Sequence, residues 1–158
     1  WTYPQGSVPE NLMLFTEFMH LDLDIKAHDP GSVQEAIFTV DFASTLVAVA
    51  PHMHLLGSGF VFEHLPSGGQ DACLLDITEW DFWWQQFFHY PKEAYVFLKE
   101  GDKVRLRCTY DNTVANQPVV NGVQRDPRDV RWGESSLDEM CIANMILLVP
   151  NPDFSGSK

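Results

Sequence analysis

Apolar and polar residues alternate with a period of two along much of this 158-residue chain. The clearest cases are Leu21-Asp22-Leu23-Asp24-Ile25 and Lys103-Val104-Arg105-Leu106-Arg107-Cys108. Successive side chains of a strand point to opposite faces, so this pattern marks strands with one buried and one wet face. Strand-like segments fall at residues 12–25, 36–42, 45–55, 59–65, 73–77, 84–90, 103–110 and 140–149. Gly, Pro, Asn and Asp punctuate them. Pro66-Ser67-Gly68-Gly69 reads as a hairpin turn, and Lys99-Glu100-Gly101-Asp102 as a polar turn into the next strand. About eight or nine short strands at this spacing predict an all-β, jelly-roll-like antiparallel β-sandwich. No stretch of helical length carries a helical period. Residues 111–136 form the longest irregular region, and a loop of that length inside a small domain is usually functional or mobile. There is no internal repeat and no low-complexity block. The chain length suits a single domain, expected over residues 1–150, with residues 151–158 as a tail that frays from 154 onward.

Composition narrows the function. The formal net charge is -12, which argues against nucleic acid as a partner and disfavours docking on anionic lipid. With 45% hydrophobic and 13% aromatic residues, the chain can bury a core and is not a disordered segment. No run approaches the roughly 18 apolar residues of a membrane span. A chain that begins at Trp1 without a basic and then apolar leader reads as a processed or excised piece. On that reading a signal peptide, an anchor or a preceding domain lies outside it. The three cysteines, Cys73, Cys108 and Cys141, form no CxxC pair. Zinc-ribbon and thioredoxin readings therefore have no support, and the odd count leaves at least one thiol unpaired.

The candidate chemistry lies in His52-Met53-His54. A His-x-His on a strand puts two imidazoles on one face. They are either two half-buried sheet histidines or a pair of metal ligands. Two neighbouring buried imidazoles need two sets of hydrogen-bond partners, and a shared metal serves both. A thioether from a distant strand would complete a soft set suited to copper, Cu(I) especially, with a position left open. Met140, in Asp138-Glu139-Met140-Cys141, is the candidate; alone it would read as a core gap filler. Asp138 and Glu139 read equally as carboxylates orienting a ligand histidine or as a solvated turn. His20, His28, His64 and His89 are isolated and read as ordinary surface or strand histidines, although His20 and His28 are conceivable partners in a second site. Asp22 and Asp24, with Asp29, suggest calcium only weakly, because alternation already puts the first two on a wet strand face. The aromatic cluster Trp80, Phe82, Trp83, Trp84, Phe87, Phe88 and Tyr90 reads as core with one or two rings exposed. No nucleophile triad, phosphate loop or glycosidase carboxylate pair stands out.

His52-Met53-His54-Leu55-Leu56-Gly57 is followed by Trp80-Asp81-Phe82-Trp83-Trp84-Gln85, Gly101-Asp102 and Cys108-Thr109-Tyr110-Asp111-Asn112. Trp132-Gly133-Glu134 and Asp138-Glu139-Met140-Cys141 come last. In that order these motifs resemble the C-terminal domain of the copper type II, ascorbate-dependent monooxygenases, the family of peptidylglycine α-hydroxylating monooxygenase and dopamine β-monooxygenase. Val130-Arg131-Trp132-Gly133-Glu134 is similar to bacterial members. The resemblance is strongest over residues 45–148, and residues 1–44 add no motif.

The resemblance implies that His52, His54 and Met140 ligate one copper per chain, at which O2 is activated, with ascorbate or another reductant supplying electrons. It implies a Cys108–Cys141 disulfide, hence Cys73 as the free thiol and an oxidising compartment, periplasmic or secreted. It also implies partners: a second copper domain, or protein subunits of a larger assembly, and a small-molecule substrate if the domain is catalytic. The family's second copper uses a His-His pair that this chain lacks. Its substrate-carboxylate arginine is replaced by Ala50, and its asparagine and tyrosine after the Met-Cys pair by Ile142 and Asn144. Recognition of a peptide C-terminal glycine is therefore not expected. Two expectations follow: the O2-activating half of a C–H hydroxylating monooxygenase, or a non-catalytic exported structural or interaction subunit that retains the fold.

Overall fold

In the computed structural model, which describes residues 8–154, the alternating segments pair into two antiparallel sheets. The strands are β1 (Asn11–Met19), β2 (Ser32–Thr39), β3 (Ser44–His52), β4 (Gly57–Leu65), β5 (Ala72–Ile77), β6 (Phe88–His89), β7 (Val96–Leu98), β8 (Lys103–Tyr110), β9 (Val119–Val120), β10 (Val123–Gln124) and β11 (Ile142–Pro150). The first sheet runs β1-β11-β3, with β6 and β7 sharing the outer edge of β3; the second runs β2-β8-β4-β5. β9 and β10 form a separate hairpin. The expected β-sandwich is thus observed, with eleven strands among the described residues because three very short ones, β7, β9 and β10, join the eight predicted segments.

Alternation explains the core. From the first sheet Leu46, Val49, Met145 and Leu147 point inward. They join Phe60, Phe62, Val104 and Leu106 of the second sheet. Phe60 and Phe62 are fully buried, and each such side chain contributes about 1.5–3 kcal/mol relative to exposure. Phe18 stacks on Phe38 with ring centroids 4.9 Å apart, joining β1 to β2 across the sandwich.

Several expectations need correction. The segment 12–25 is not one strand: β1 ends at Met19, and only Ile25 pairs again, in an isolated bridge to Val130. Buried Leu23 and Ile25 alternate with exposed Asp22, Asp24 and Lys26, so alternation there reports burial rather than a ladder. Residues 84–90 contribute only the two-residue β6. A turn built on Asp81 precedes it, with the carboxylate accepting from the Trp83 N–H at 2.8 Å and the carbonyl from the Trp84 N–H at 3.0 Å. The last strand starts at Ile142 rather than Met140.

The region 111–136 is more ordered than its composition suggests. It holds a single-turn 3-10 helix at Val114–Asn116 and the β9–β10 hairpin. Asn121 and Gly122 link the two strands with φ of 52° and 77°, the left-handed pair that a two-residue hairpin requires. Buried Asn112 pins this region by donating to the carbonyls of Lys26 and Arg128, both at 2.8 Å. Of the expected tail, 155–158 lie outside the described residues.

Candidate metal centre

The outer row of β3 carries the candidate ligands. Val49 and Met53 face the core, so Ala50, His52 and, just past the strand end, His54 face away from it. The imidazole rings lie 5.1 Å apart, centroid to centroid, and nearly perpendicular at 87°. Ile142 pairs with His52 and Asn144 with Ala50 in an antiparallel ladder that ends there. Met140 lies two residues before β11, in the half-buried segment whose Asp138 carbonyl and Glu139 side chain bond to His54.

Each ring is anchored through Nδ1. His52 Nδ1 lies 2.6 Å from Gln85 Oε1, and His54 Nδ1 lies 3.0 Å from the Asp138 carbonyl. An amide or carbonyl oxygen only accepts, so the proton of a neutral ring held this way sits on Nδ1 and the lone pair on Nε2. Burial lowers the pKa of His54, against the opposing pull of the Asp138 carbonyl, and His52 lowers it further. The neutral form thus favoured is the one that can ligate a metal.

Glu139 organises the backbone around the pair. It is fully buried, which corrects the solvated-turn alternative. Its Oε2 accepts from the His54 N–H at 2.8 Å and its Oε1 from the Leu56 N–H at 2.7 Å. The Met140 N–H adds a longer bond at 3.3 Å. Burial pushes the Glu139 carboxyl up to about 8, while these three N–H groups pull it down. One carboxylate therefore joins the turn after β3 to the segment before β11. Asp138, by contrast, is partly exposed and pairs with Arg128 at 3.0 Å.

Three further contacts brace the segment. Cys108 and Cys141 form a disulfide, tying β8 to the residue after Met140; Cys73 is exposed and free. The Tyr110 hydroxyl donates to the Met140 carbonyl at 2.8 Å. Trp80 donates from its indole to the His54 carbonyl at 3.3 Å. Trp80 can approach because residue 57 is glycine: a Cβ there would sit 2.8 Å from Trp80 Cδ1 and 3.0 Å from Met53 Cε. Phe82 completes the surround with its ring edge-on to His54 at 6.3 Å.

The other candidates lie elsewhere. His64 is buried at the end of β4, with its Nε2 2.8 Å from Asp102 Oδ2. His28 and His89 are exposed, and the backbone of His20 bonds to the Cys141 carbonyl. Asp24 pairs with Lys26 and Arg131. Among the described residues no group of three or more His, Cys, Asp or Glu is arranged to hold a metal ion. In the aromatic cluster, Trp80 and Tyr90 pack on the core, whereas Trp83 and Trp84 are 85% and 68% exposed and Phe87 is exposed too. Sequence reasoning missed Gln85 as a ring anchor; for Glu139 it left an orienting carboxylate and a solvated turn equally open, and burial selects the supporting role.

On the same outer face an open hollow of about 410 Å³ is lined by Phe15, Thr16, Glu17, Phe87, Asn144 and Met145. Asn144 donates to the Ala50 carbonyl at 3.1 Å, which leaves its own side-chain oxygen as an acceptor.

Fold and site together define an antiparallel β-sandwich whose distinctive chemistry is a His-x-His pair at the end of β3, braced by the segment before β11. The chain belongs to the copper type II ascorbate-dependent monooxygenase family, whose C-terminal domain model matches residues 34–152. That match begins earlier than the motifs alone suggest, taking in β2. Among curated proteins, none matches the chain.

Proposed function

We propose that this domain binds one copper ion through His52, His54 and Met140 and is the O2-activating half of an ascorbate-dependent C–H hydroxylating monooxygenase. The observation that carries this reading is the anchoring of both rings through Nδ1, which turns two adjacent Nε2 lone pairs into ready donors. Two neutral imidazoles and a thioether suit copper, and Cu(I) in particular. Bound there, copper would supply the one-electron redox chemistry that activates O2 toward a substrate C–H bond. The protein's own part is positional. Glu139 and the disulfide fix the Met140 segment against the His54 turn, and the Asp138 carbonyl holds a proton on His54 Nδ1.

The neighbouring hollow is the proposed substrate surface, with Phe15 and Phe87 offering apolar contact and Asn144 an acceptor. Ala50 stands where the family's carboxylate-binding arginine would be, which disfavours peptides ending in glycine. Ascorbate, another reductant or a second copper domain supplies the electrons. The disulfide supports an oxidising compartment, periplasmic or secreted, and no helix among the described residues is long and apolar enough to cross a membrane. Residues 1–150 are proposed as one domain and 151–158 as its tail.

A second reading, a non-catalytic exported subunit of a larger assembly, draws on the exposed indoles of Trp83 and Trp84. Oxygen consumption separates the two. Copper-loaded protein supplied with ascorbate and a panel of C–H substrates consumes O2 in proportion to product if it is the monooxygenase half. Stoichiometric copper with no substrate-dependent consumption, even with a second copper domain added, selects the subunit reading.

A further inference from the structure

The two histidines are held in different ways. His54 Nδ1 donates to a main-chain carbonyl, that of Asp138, which no substitution removes. His52 Nδ1 donates to a side chain, Gln85 Oε1, at 2.6 Å. The Gln85 amide is itself clamped, because its Nε2 donates to the Phe82 carbonyl at 2.9 Å. This second bond fixes which end of the amide faces His52, since the end that donates to Phe82 must be NH2. The Asp81 turn fixes the backbone between Phe82 and Gln85. Phe82, from the same turn, also packs against His54. A single six-residue segment, Trp80-Asp81-Phe82-Trp83-Trp84-Gln85, therefore reaches both rings, but only Gln85 dictates where a ring proton sits.

We infer that Gln85 is a positioning residue. It holds His52 in the Nδ1–H form with Nε2 directed to the copper site, and its uncharged amide keeps that imidazole a moderate donor that favours Cu(I). A carboxylate at the same place would hold the same tautomer but strengthen the donor and favour Cu(II). A free histidine side chain prefers the opposite, Nε2–H form, so without an acceptor at Nδ1 the ligand nitrogen is mostly protonated. Partners of this kind alter metal affinity by about 10–100-fold when removed.

The inference rests on the copper reading for its affinity and potential, but not for the tautomer. The first experiment therefore uses metal-free protein. Long-range proton–nitrogen NMR on 15N-labelled wild type should show His52 and His54 both as Nδ1–H. Gln85→Leu should move His52 toward Nε2–H and leave His54 unchanged, whereas Gln85→Glu should keep His52 as Nδ1–H. In Cu(I) competition titrations Gln85→Leu should bind about 10–100-fold more weakly. Gln85→Glu should recover most of that binding with a Cu(II)/Cu(I) potential below that of wild type. An unchanged His52 tautomer in Gln85→Leu overturns the proposal, as does equal disturbance of both rings. If the tautomers respond as stated but no variant binds copper, the metal assignment fails while the orienting role of Gln85 stands.

Discussion

Removing the Glu139 side chain tests whether the candidate site is held together as described. In Glu139→Ala the buried N–H groups of His54 and Leu56 lose acceptors at 2.8 and 2.7 Å. Each unsatisfied buried N–H costs about 1–3 kcal/mol, so two predict a loss of about 2–6 kcal/mol. A domain of this size has only about 5–15 kcal/mol in total, so the upper end would unfold it. Glu139→Gln is the gentler variant: compared above about pH 8, where the carboxyl is ionised, it keeps the shape and one acceptor and turns the other position into a donor facing an N–H. One lost bond predicts about 1–3 kcal/mol. Urea unfolding followed by fluorescence of the five tryptophans measures both, given equal slopes. The predicted order of stability is wild type, then Gln, then Ala. A loss below about 1 kcal/mol in Glu139→Ala would refute the reasoning, because the two N–H groups would then be satisfied without the carboxylate.

Other predictions follow from the same contacts. The Cys108–Cys141 bridge closes a separation of 33 residues, so replacing both cysteines by serine should cost about 3–4 kcal/mol in chemical denaturation, and an unchanged midpoint would contradict this. The Asp102 carboxyl is held down to about 2, chiefly by the Ser67 N–H, with burial opposing and His64 and the Lys99 N–H adding to the pull. A depressed carboxyl pKa stabilises the fold above the unfolded value near 4. That contribution, at most about 2–3 kcal/mol, is lost as pH falls from about 4 to about 2. Acid titrations of stability should show this slope in wild type and lose it in Asp102→Asn; equal slopes would refute it. Gly57→Ala drives a Cβ into Trp80 and Met53 and should cost about 1–3 kcal/mol by overpacking, visible as a shifted tryptophan spectrum and a lower midpoint.

The legible parts of this molecule were those set by periodicity. Alternation along 45–55 put His52 and His54 on one face before any strand partner was known, and the two rings do lie side by side, 5.1 Å apart. Local turn chemistry was equally available in Asn121-Gly122, but the polar composition of 111–136 masked a two-residue hairpin signal. Short strands such as Val96–Leu98 are too brief to show a period and exist because β3 offers an open edge. Glu139 is the harder case. An acid beside another acid reads equally as an orienting carboxylate or a wet turn, and what decides is two backbone N–H groups more than 80 residues away. Gln85 was hidden for the same reason, since its role follows from a turn that brings residue 85 to residue 52. The aromatic run misled in the opposite direction: hydrophobicity favours burial, yet Trp83 and Trp84 sit at the tip of the Asp81 turn in solvent.

The central claim is that His52, His54 and Met140 together hold one copper ion. X-ray absorption at the copper edge of Cu(I)-loaded protein, paired with metal quantification, tests it most directly. The expected result is one copper per chain bonded to imidazole nitrogen and a single sulfur. Loss of the sulfur signal alone is expected in Met140→Leu, and loss of stoichiometric copper in the His52→Ala/His54→Ala double variant. Full copper retained by the double variant, or a sulfur signal that survives Met140→Leu, would contradict it.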